Sequence, residues 1–431
     1  MEFTKYKLGD LMEVTRGMSL CGKHYATEGN LMRLTLGNFD YHNNCFKDDK
    51  SKDNLYFTGS VKKDFILNKD DIITPLTEQA IGLLGSTAKI PFSGKYIQSQ
   101  DVALIKCNEK LYPDFAFYLI PSKMVRFQLS AAAQQTKIRH TSPDKIKDCT
   151  VWVPEYSVQK KIGDLLTTID KKISINREIN RNLEELAKQI YDYWFVQFDF
   201  PNNKGRPYKS SGGKMVWNEL LKREIPSGWE VKRVSEVIES VERGISYTFD
   251  DIKNVNGIPM LNLACYDKSG EYRSGEFKFF SGKCSNKVYP FEMFIACTDM
   301  TQNADIIGRP IFAPTEFKEY VYSMDLAKIT PKSISKMYLY YTLRTSFYHK
   351  YIKPFASGTN VKHLNINGTE RYVISLPAKE EQEKFENTIT PIKEKQQNCL
   401  KEIQQLSVLR DTLLPLLMNG QVTLNSCLSH D

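Results

Sequence analysis

The sequence predicts an α+β chain in which two similar mixed α/β globules are separated by two long helices that form an antiparallel coiled coil. Two observations predict this fold class. The same order of short motifs occurs twice, and the second copy follows the first by 223 to 227 residues. In each copy, short β-branched and aromatic runs are followed by a long stretch with apolar residues at heptad spacing. The fold is therefore expected to contain an internal pseudo-two-fold repeat.

Length and composition agree with this reading. The chain has 431 residues, of which 41% are hydrophobic and 26% charged, so two or three domains can each bury a core. The longest apolar runs, such as 413–418, are far shorter than the ~20 residues that cross a bilayer. The first seven residues lack the apolar stretch of a signal peptide, so we expect a cytoplasmic protein without membrane contact. The formal net charge of +8 permits a polyanionic partner without requiring one.

The repeat is carried by eight blocks that keep their order, while short loop insertions shift the offset only slightly. Examples of matching segments are 17–19 with 244–246, 34–40 with 261–267, 74–80 with 298–304, 136–140 with 359–363 and 159–162 with 382–385. Each copy begins with a globule, at 1–154 and 224–377. Short strand candidates fill most of each globule, and an aromatic helix candidate spans 115–129 in the first.

A long amphipathic helix follows each globule. In the first helix, apolar or aromatic residues occupy eight of ten a and d positions, which favours a coiled-coil seam. The predicted seam residues are Ile162, Leu165, Ile169, Asn176, Ile179, Leu183, Leu186 and Ile190, followed by Phe385, Ile392, Leu406 and Leu413 in the second helix. Pro391 is expected to kink the second helix.

Chain direction favours antiparallel pairing, because the first helix leaves globule one and enters globule two, whereas the second helix leaves globule two. The globules would then lie at opposite ends of a rod about 50 Å long. The predicted division lists globule one at 1–154, helix one at 155–199, a linker at 200–223, globule two at 224–377, helix two at 378–418 and a tail at 419–431.

Enzyme motifs are absent from the sequence. It contains no phosphate-binding Gly-x4-Gly-Lys-Ser/Thr loop, no His-Glu-x-x-His and no Gly-x-Ser-x-Gly. The six histidines are dispersed, and the nine cysteines include no closely spaced pair, so we expect no metal site and no disulfide framework. No catalytic residue and no cofactor are predicted for this chain.

Two similar globules held a fixed distance apart fit double-stranded DNA, which presents equivalent positions every ~34 Å along one face. Because the globules differ in sequence, they are expected to read different half-sites. Amide, hydroxyl and cationic side chains are the types that contact bases and phosphates. The candidates are Gln134, Gln135, Thr136, Lys137, Arg139, Thr359, Asn360 and Lys362, then Thr77, Gln79, Thr301 and Gln302, and finally Arg16, Arg33, Arg243 and Arg273. For all of these, a structural role in a turn or a helix cap remains the alternative.

Several segments carry a likeness to known proteins, namely 194–199, 225–229, 298–302 and 409–420, together with the Leu-Pro and Gln-x-x-Ile/Phe patterns before each helix. In these segments the chain resembles one family, the specificity subunits of type I restriction–modification enzymes. It implies that each globule is a target-recognition domain that reads one half of a bipartite, asymmetric DNA target. It further implies that two methyltransferase modification subunits and a restriction motor-nuclease subunit bind the chain and hold S-adenosylmethionine and ATP.

The residues alone leave two other functions open. One is a coiled-coil scaffold that binds proteins without contacting nucleic acid. The other is a self-contained nuclease or methylase. Salt-dependent duplex binding would distinguish DNA reading from the scaffold, and cofactor binding by the isolated chain would support the enzyme.

Overall fold

The computed structural model describes residues 2–41, 43–49, 52–78, 82–132, 139–253, 257–267, 269–273, 277–282 and 286–422. The chain divides into two compact units. Unit 1 consists of Met1–Lys172 with Leu406–Asp431, and unit 2 consists of Ile173–Gln405. Each unit therefore contains one globule together with parts of both long helices.

Unit 1 contains short strands and three short helices before its long helix begins. Its strands are β1 (Phe3–Lys7), β2 (Met12–Arg16), β3 (Tyr25–Ala26), β4 (Met32–Arg33), β5 (Phe39–Asp40), β6 (Cys45–Phe46), β7 (Tyr56–Phe57), β8 (Ile72–Pro75), β9 (Thr77–Glu78), β10 (Ala88–Lys89), β11 (Tyr96–Ile97), β12 (Val102–Cys107), β13 (Arg139–His140) and β14 (Thr150–Pro154). Its short helices are α1 (Pro113–Leu119), α2 (Lys123–Ala132) and α3 (Pro143–Lys147). The long helix α4 (Tyr156–Tyr191) starts in unit 1 and ends in unit 2.

Unit 2 repeats this pattern. Its strands are β15 (Met215–Asn218), β16 (Arg223–Pro226), β17 (Glu230–Arg233), β18 (Ile238–Arg243), β19 (Ile252–Lys253), β20 (Ile258–Leu261), β21 (Lys278–Phe280), β22 (Met293–Ala296), β23 (Thr298–Asp299), β24 (Pro310–Phe312), β25 (Val321–Tyr322), β26 (Leu326–Pro331), β27 (Ala356–Ser357), β28 (Lys362–Leu364) and β29 (Val373–Leu376). Its helices are α5 (Lys336–Arg344), α6 (Ser346–Ile352), α7 (Asn367–Arg371) and α8 (Lys379–Met418), the last of which ends in unit 1.

The sheets confirm the duplication that the sequence predicts. One four-stranded sheet has the order β10-β8-β12-β2 in unit 1 and the corresponding order β24-β22-β26-β18 in unit 2. A second has the order β11-β4-β7-β3 in unit 1 and β25-β20-β21-β19 in unit 2, and its first pair is parallel in both units. The fold class, with two mixed α/β globules and two long helices, is confirmed.

A glycine common to both copies has a packing reason. A Cβ atom at Gly17 would lie 2.3 Å from the carbonyl oxygen of Gln98, and one at Gly244 would lie 2.2 Å from that of Tyr322. Both distances are far below van der Waals contact, so only glycine fits where these backbones meet.

Gly244→Ala is therefore expected to lower the free energy of unfolding by about 1–3 kcal/mol, the usual range for overpacking. Urea unfolding followed by circular dichroism measures the change. Gly22→Ala is the matched control, because a Cβ there would meet only the Tyr25 ring at 4.0 Å. Equal effects of the two substitutions would contradict the steric explanation.

Helices α4 and α8 begin at Tyr156 and Lys379, next to the predicted starts at 155 and 378, but α4 ends at Tyr191 and not at the predicted residue 199. The helical assignment of α8 runs through Pro391 without interruption. The helix candidate at 115–129 is two helices instead, α1 and α2, which are separated at 120–122. Pro121 explains the break, because it has no N–H to donate to the preceding turn, although Ile120 itself keeps helical dihedral angles.

The predicted seam of α4 needs one correction. The predicted a positions face the seam, as shown by Ile162 and Ile169, which are 0% and 6% exposed. Leu186, at a predicted d position, is 45% exposed and does not belong to the seam. The second line of inward-facing residues lies one residue later than predicted, with Leu166, Ile173 and Ala187 buried and Asn180 half-buried. It was missed because a polar residue and a small one occupy two of its four positions.

The remaining predicted seam residues are either buried or half-buried. Asn176 and Phe385 are buried. The half-buried members are Leu165, Ile179, Leu183, Ile190, Ile392, Leu406 and Leu413. In α8 the second line again lies one residue on, with Ile389 and Ile403 buried.

The two helices run antiparallel within unit 2. The Asn176 side chain donates to Glu402, the Gln396 amide donates to the backbone oxygen of Asn180, and Lys393 Nζ donates to Glu184 at 2.5 Å. Moving forward on α4 thus means moving backward on α8. Polar residues inside such a seam reduce stability but fix the register of the helices.

Glu184 lies at the centre of a buried charge cluster. Arg344, at the end of α5, approaches the second carboxylate oxygen of Glu184 at 3.4 Å and also pairs with Glu271. Burial opposes ionisation of Glu184, but Lys393 and Arg344 outweigh it and lower the pKa of this carboxyl to about 2. Burial also lowers the pKa of Lys393. The cluster joins both long helices to the globule of unit 2.

The low pKa of Glu184 predicts a specific pH dependence. A carboxyl whose pKa falls from 4.5 in the unfolded chain to about 2 in the folded chain stabilises the fold fully above about pH 4.5. This contribution, about 3 kcal/mol, is lost as the pH falls from about 4.5 towards 2. The free energy of unfolding should therefore fall more steeply across this window in the wild type than in Glu184→Gln. Identical slopes in urea titrations of the two proteins would contradict this assignment.

Aromatic residues that follow α4 pack into the globule of unit 2. The Phe195 ring lies 4.7 Å from that of Tyr338 and 4.9 Å from that of Phe385. Phe198 and Phe200 are also buried and contact the ring of Trp229. In unit 2 the globule and both helices therefore share one core.

Candidate nucleic-acid interface

Strand pairing in unit 2 brings together two polar segments that are far apart in the sequence. Strand β23 pairs with β28 in antiparallel register, with Thr298 opposite His363 and Asp299 opposite Lys362. The candidate segments at 298–303 and 357–363 therefore lie side by side. Both segments contain candidate residues from the sequence, but no pattern in the sequence indicates that they lie next to each other.

The loop after β23 is held by the buried carboxylate of Asp299. One of its oxygens accepts from the backbone N–H of Thr301 at 2.6 Å, and the other accepts from that of Ile306 at 2.8 Å. The Thr301 hydroxyl accepts from the N–H of Asp305, which closes the turn. The side chains of Gln302 and Asn303 are consequently exposed on a loop whose backbone is fixed.

These two amides line a cleft of about 430 Å³ that also contains three lysines. The cations are Lys350, Lys353 and Lys362, from α6, the turn that follows it, and β28. Lys353 lies 4.0 Å from Asp305, and Lys362 Nζ donates to the carbonyl oxygen of Gly358. Amide groups beside several cations are the combination that base edges and phosphates require.

Lys350 and Lys353 are not among the DNA-binding candidates that the sequence predicts, although both line the cleft. Their helical spacing could have identified them, because they are three residues apart and alternate with the fully buried side chains of Tyr348 and Ile352. They were overlooked because the aromatic residues of this segment indicate core packing.

His349 contacts Ala304, one of the residues that line this cleft. Its ring lies 3.2 Å from the carbonyl oxygen of Ala304. Burial, followed by the nearby cations Arg309 and Lys353, lowers the pKa of His349. The imidazole is therefore neutral at physiological pH and positions the loop without adding charge.

Unit 1 has the same arrangement with different side chains. Strand β9 pairs with β13, with Glu78 opposite Arg139, and the two side chains form an ion pair at 3.6 Å. One carboxylate oxygen of Glu78 accepts from the N–H groups of Gly82 and Leu84, as Asp299 does for its own loop. The candidates Gln134, Gln135, Thr136, Lys137 and Gln79 lie outside the described residues.

Several other candidates are exposed. Arg16 and Arg273 are exposed, as are Thr359 and Asn360 next to Gly358. Arg243 is exposed as well, and its guanidinium donates to the carbonyl oxygen of Leu364 at 2.8 Å, at the end of β28.

Two candidates have structural roles instead. Arg33 is 8% exposed, and its guanidinium lies 4.0 Å above the Tyr25 ring while donating to Asn54. Thr77 is 7% exposed and bonds to Asp101. Neither side chain can reach a ligand at the surface, because packing and hydrogen bonds hold both of them inside.

The described part of the chain shows no cluster of three His, Cys, Asp or Glu side chains that could hold a metal ion. Among the same residues, no helix is long and apolar enough to cross a membrane.

The described residues define a class of proteins built from a duplicated globule, each copy followed along the chain by a long helix. A family model described as "Type I restriction modification DNA specificity domain" matches residues 1–185 and 226–406. The chain belongs to this family and carries its domain twice.

Individual relatives agree. The chain is 25% identical over 313 residues to the MjaIX specificity subunit of Methanocaldococcus jannaschii, which covers 72% of this chain and 69% of that protein. It is 26% identical over 382 residues to the HindI specificity subunit of Haemophilus influenzae, covering 76% and 81%. The crystal structure of a type I specificity subunit from M. genitalium superposes with a TM-score of 0.59 at 15% identity, covering 97% of this chain and 96% of that one, which shows a shared fold.

Proposed function

We propose that this chain is the non-catalytic DNA-reading subunit of a type I restriction–modification complex in the cytoplasm. Each globule would read one half of a bipartite, asymmetric target. The paired helices would set the spacing and dock two methyltransferase modification subunits, which a restriction motor-nuclease subunit joins. S-adenosylmethionine and ATP would be bound by those partners.

One observation carries the proposal. In both units, an antiparallel strand pair, β9 with β13 and β23 with β28, carries a buried carboxylate that accepts from backbone N–H groups a few residues further along the chain. The residues at the paired positions differ between the units, with Glu78 opposite Arg139 in one and Asp299 opposite Lys362 in the other. Such a site is suited to reading a different base sequence in each globule.

The test is an exchange of globules. Replacing residues 1–154 with the corresponding segment of another family member should change one half of the methylated sequence and leave the other half intact. Replacing 224–377 should change only the other half. Mapping methylated adenines in cells that contain the complete complex gives the result. A target that is unchanged, or changed in both halves, by either exchange would contradict the proposal.

A further inference from the structure

Among the described residues, an ion pair joins the two long helices in each unit. In unit 1, Asp170 on α4 accepts from Arg410 on α8 at 2.9 Å. In unit 2, Glu184 on α4 accepts from Lys393 on α8 at 2.5 Å. All four side chains are mostly shielded from solvent, with exposures of 27%, 12%, 16% and 6% in the order named. Charges in such positions are costly unless they are paired.

The repeat shows that these two pairs have opposite polarity. At the offset of 223 residues that relates α4 to α8, Asp170 corresponds to Lys393. The same structural position therefore carries an acid in one helix and a base in the other. Its partner also changes sign, from Arg410 in unit 1 to Glu184 in unit 2.

We infer that this reversed polarity makes α4 select α8 as its partner and reject α4 of a second copy of the chain. It likewise makes α8 reject another α8. The selection holds whether or not the globules read DNA. Its consequence for a two-part target rests on the proposed function, because only a pair of unlike helices brings two different globules into one complex.

The repeat gives the contacts that like helices would make. The contact between Glu184 and Lys393 in unit 2 would become a contact between Glu184 of one α4 and Asp170 of the other. Symmetry would produce this acid–acid contact twice. In a pair of α8 helices, Lys393 of one helix would lie beside Ser407 of the other, because Ser407 corresponds to Glu184. Lys393 would also lie near Arg410 of the other helix, and symmetry would produce each of these contacts twice.

The Tyr118 hydroxyl of globule one donates to Asp170, but the repeat places no second Arg344 beside these contacts. Glu184 is neutralised by Arg344 as well as by Lys393. In globule one, the residue that corresponds to Arg344 is Pro121, which carries no charge. A pair of α4 helices would therefore remove both cations from Glu184 and add a second carboxylate. Like charges at this depth disfavour the pair strongly.

The experiment starts from the folded full chain. A protease site inserted in the exposed turn at Lys204–Gly205 allows the chain to be cut between α4 and β15 after folding. Two preparations that differ in mass label are cut, mixed and left to exchange, and native mass spectrometry then counts the pairs. We expect unlike fragments to outnumber like pairs by at least about tenfold, a preference that corresponds to about 1.4 kcal/mol.

The matched control is the double substitution Glu184→Lys with Lys393→Glu. It keeps an ion pair between α4 and α8 but sets a cation at position 184 against Arg344, so urea unfolding of the intact chain first measures how much stability the exchange costs. After cutting, however, the seam charges become attractive in every pairing, and the share of like pairs should rise at least about tenfold over the wild type, although the aromatic core that α4 shares with globule two still favours unlike pairs. This change would separate charge selection from helix packing.

The outcomes are distinct. A share of like pairs that is the same in the double variant as in the wild type would overturn the inference, because the selectivity would then come from packing alone. Like pairs in the wild type, or fragments that fail to re-pair, would overturn it as well. None of these measurements contains DNA, so they leave the proposed function to its own test.

Discussion

Lys393→Glu is expected to lower the free energy of unfolding by about 3–5 kcal/mol, the usual cost of breaking a buried ion pair. Lys393 is 5% exposed, and it faces Glu184 within a seam that also contains the buried amide of Gln396. The substitution would place a second carboxylate against Glu184, with only Arg344 left to balance the two.

Urea unfolding monitored by circular dichroism measures this loss. Lys395→Glu is the matched control, because Lys395 is an exposed residue of the same helix, and its reversal should cost no more than about 0.5 kcal/mol. Equal destabilisation by the two substitutions would show that helix charge matters generally and that the buried cluster has no special role.

The triple substitution Lys350→Gln, Lys353→Gln and Lys362→Gln is expected to weaken duplex binding by the assembled complex on the order of 10²-fold. Each lysine that neutralises a phosphate also adds to the salt dependence of binding. The plot of log affinity against log salt should therefore become less steep by about 2–3. Fluorescence anisotropy at several salt concentrations gives both quantities.

Three exposed lysines of the same unit provide the control for this experiment, namely Lys332, Lys379 and Lys401. Their substitution by glutamine removes the same total charge but leaves the cleft intact. If both triple variants lose affinity equally, the cleft is not the contact surface and the effect reflects net charge. An unchanged salt slope in the first variant would likewise exclude phosphate contacts by these lysines.

Much of the architecture could be predicted from local patterns. The repeat was visible because motifs such as Gly17 and Gly244 occur at corresponding places, and the structure explains this pair by the same backbone contact in each unit. The long helices were visible because heptad spacing is a local property. The predicted d positions of α4 lie one residue before the residues that face the seam. The reason is that Asn180 and Ala187, a polar residue and a small one, are not typical of an apolar seam.

The candidate site was predicted only in part. Gln302 and Lys362 were selected for their chemistry, and both line the cleft of unit 2. Arg33 was selected on the same grounds, yet it packs on Tyr25 inside unit 1. Chemistry alone does not separate these cases, because a cation that binds phosphate and one that stacks on a ring are the same residue type.

By itself, the sequence determined the duplication, the mixed α/β class and the two heptad helices, since each depends on spacing along the chain. The tertiary structure decided which polar segments meet, which cations join them and which charges pair between the helices. Those contacts link residues such as Asp299 and Lys362 that are distant in sequence. Strand pairing and helix register bring them together, and neither leaves a periodic pattern in the sequence.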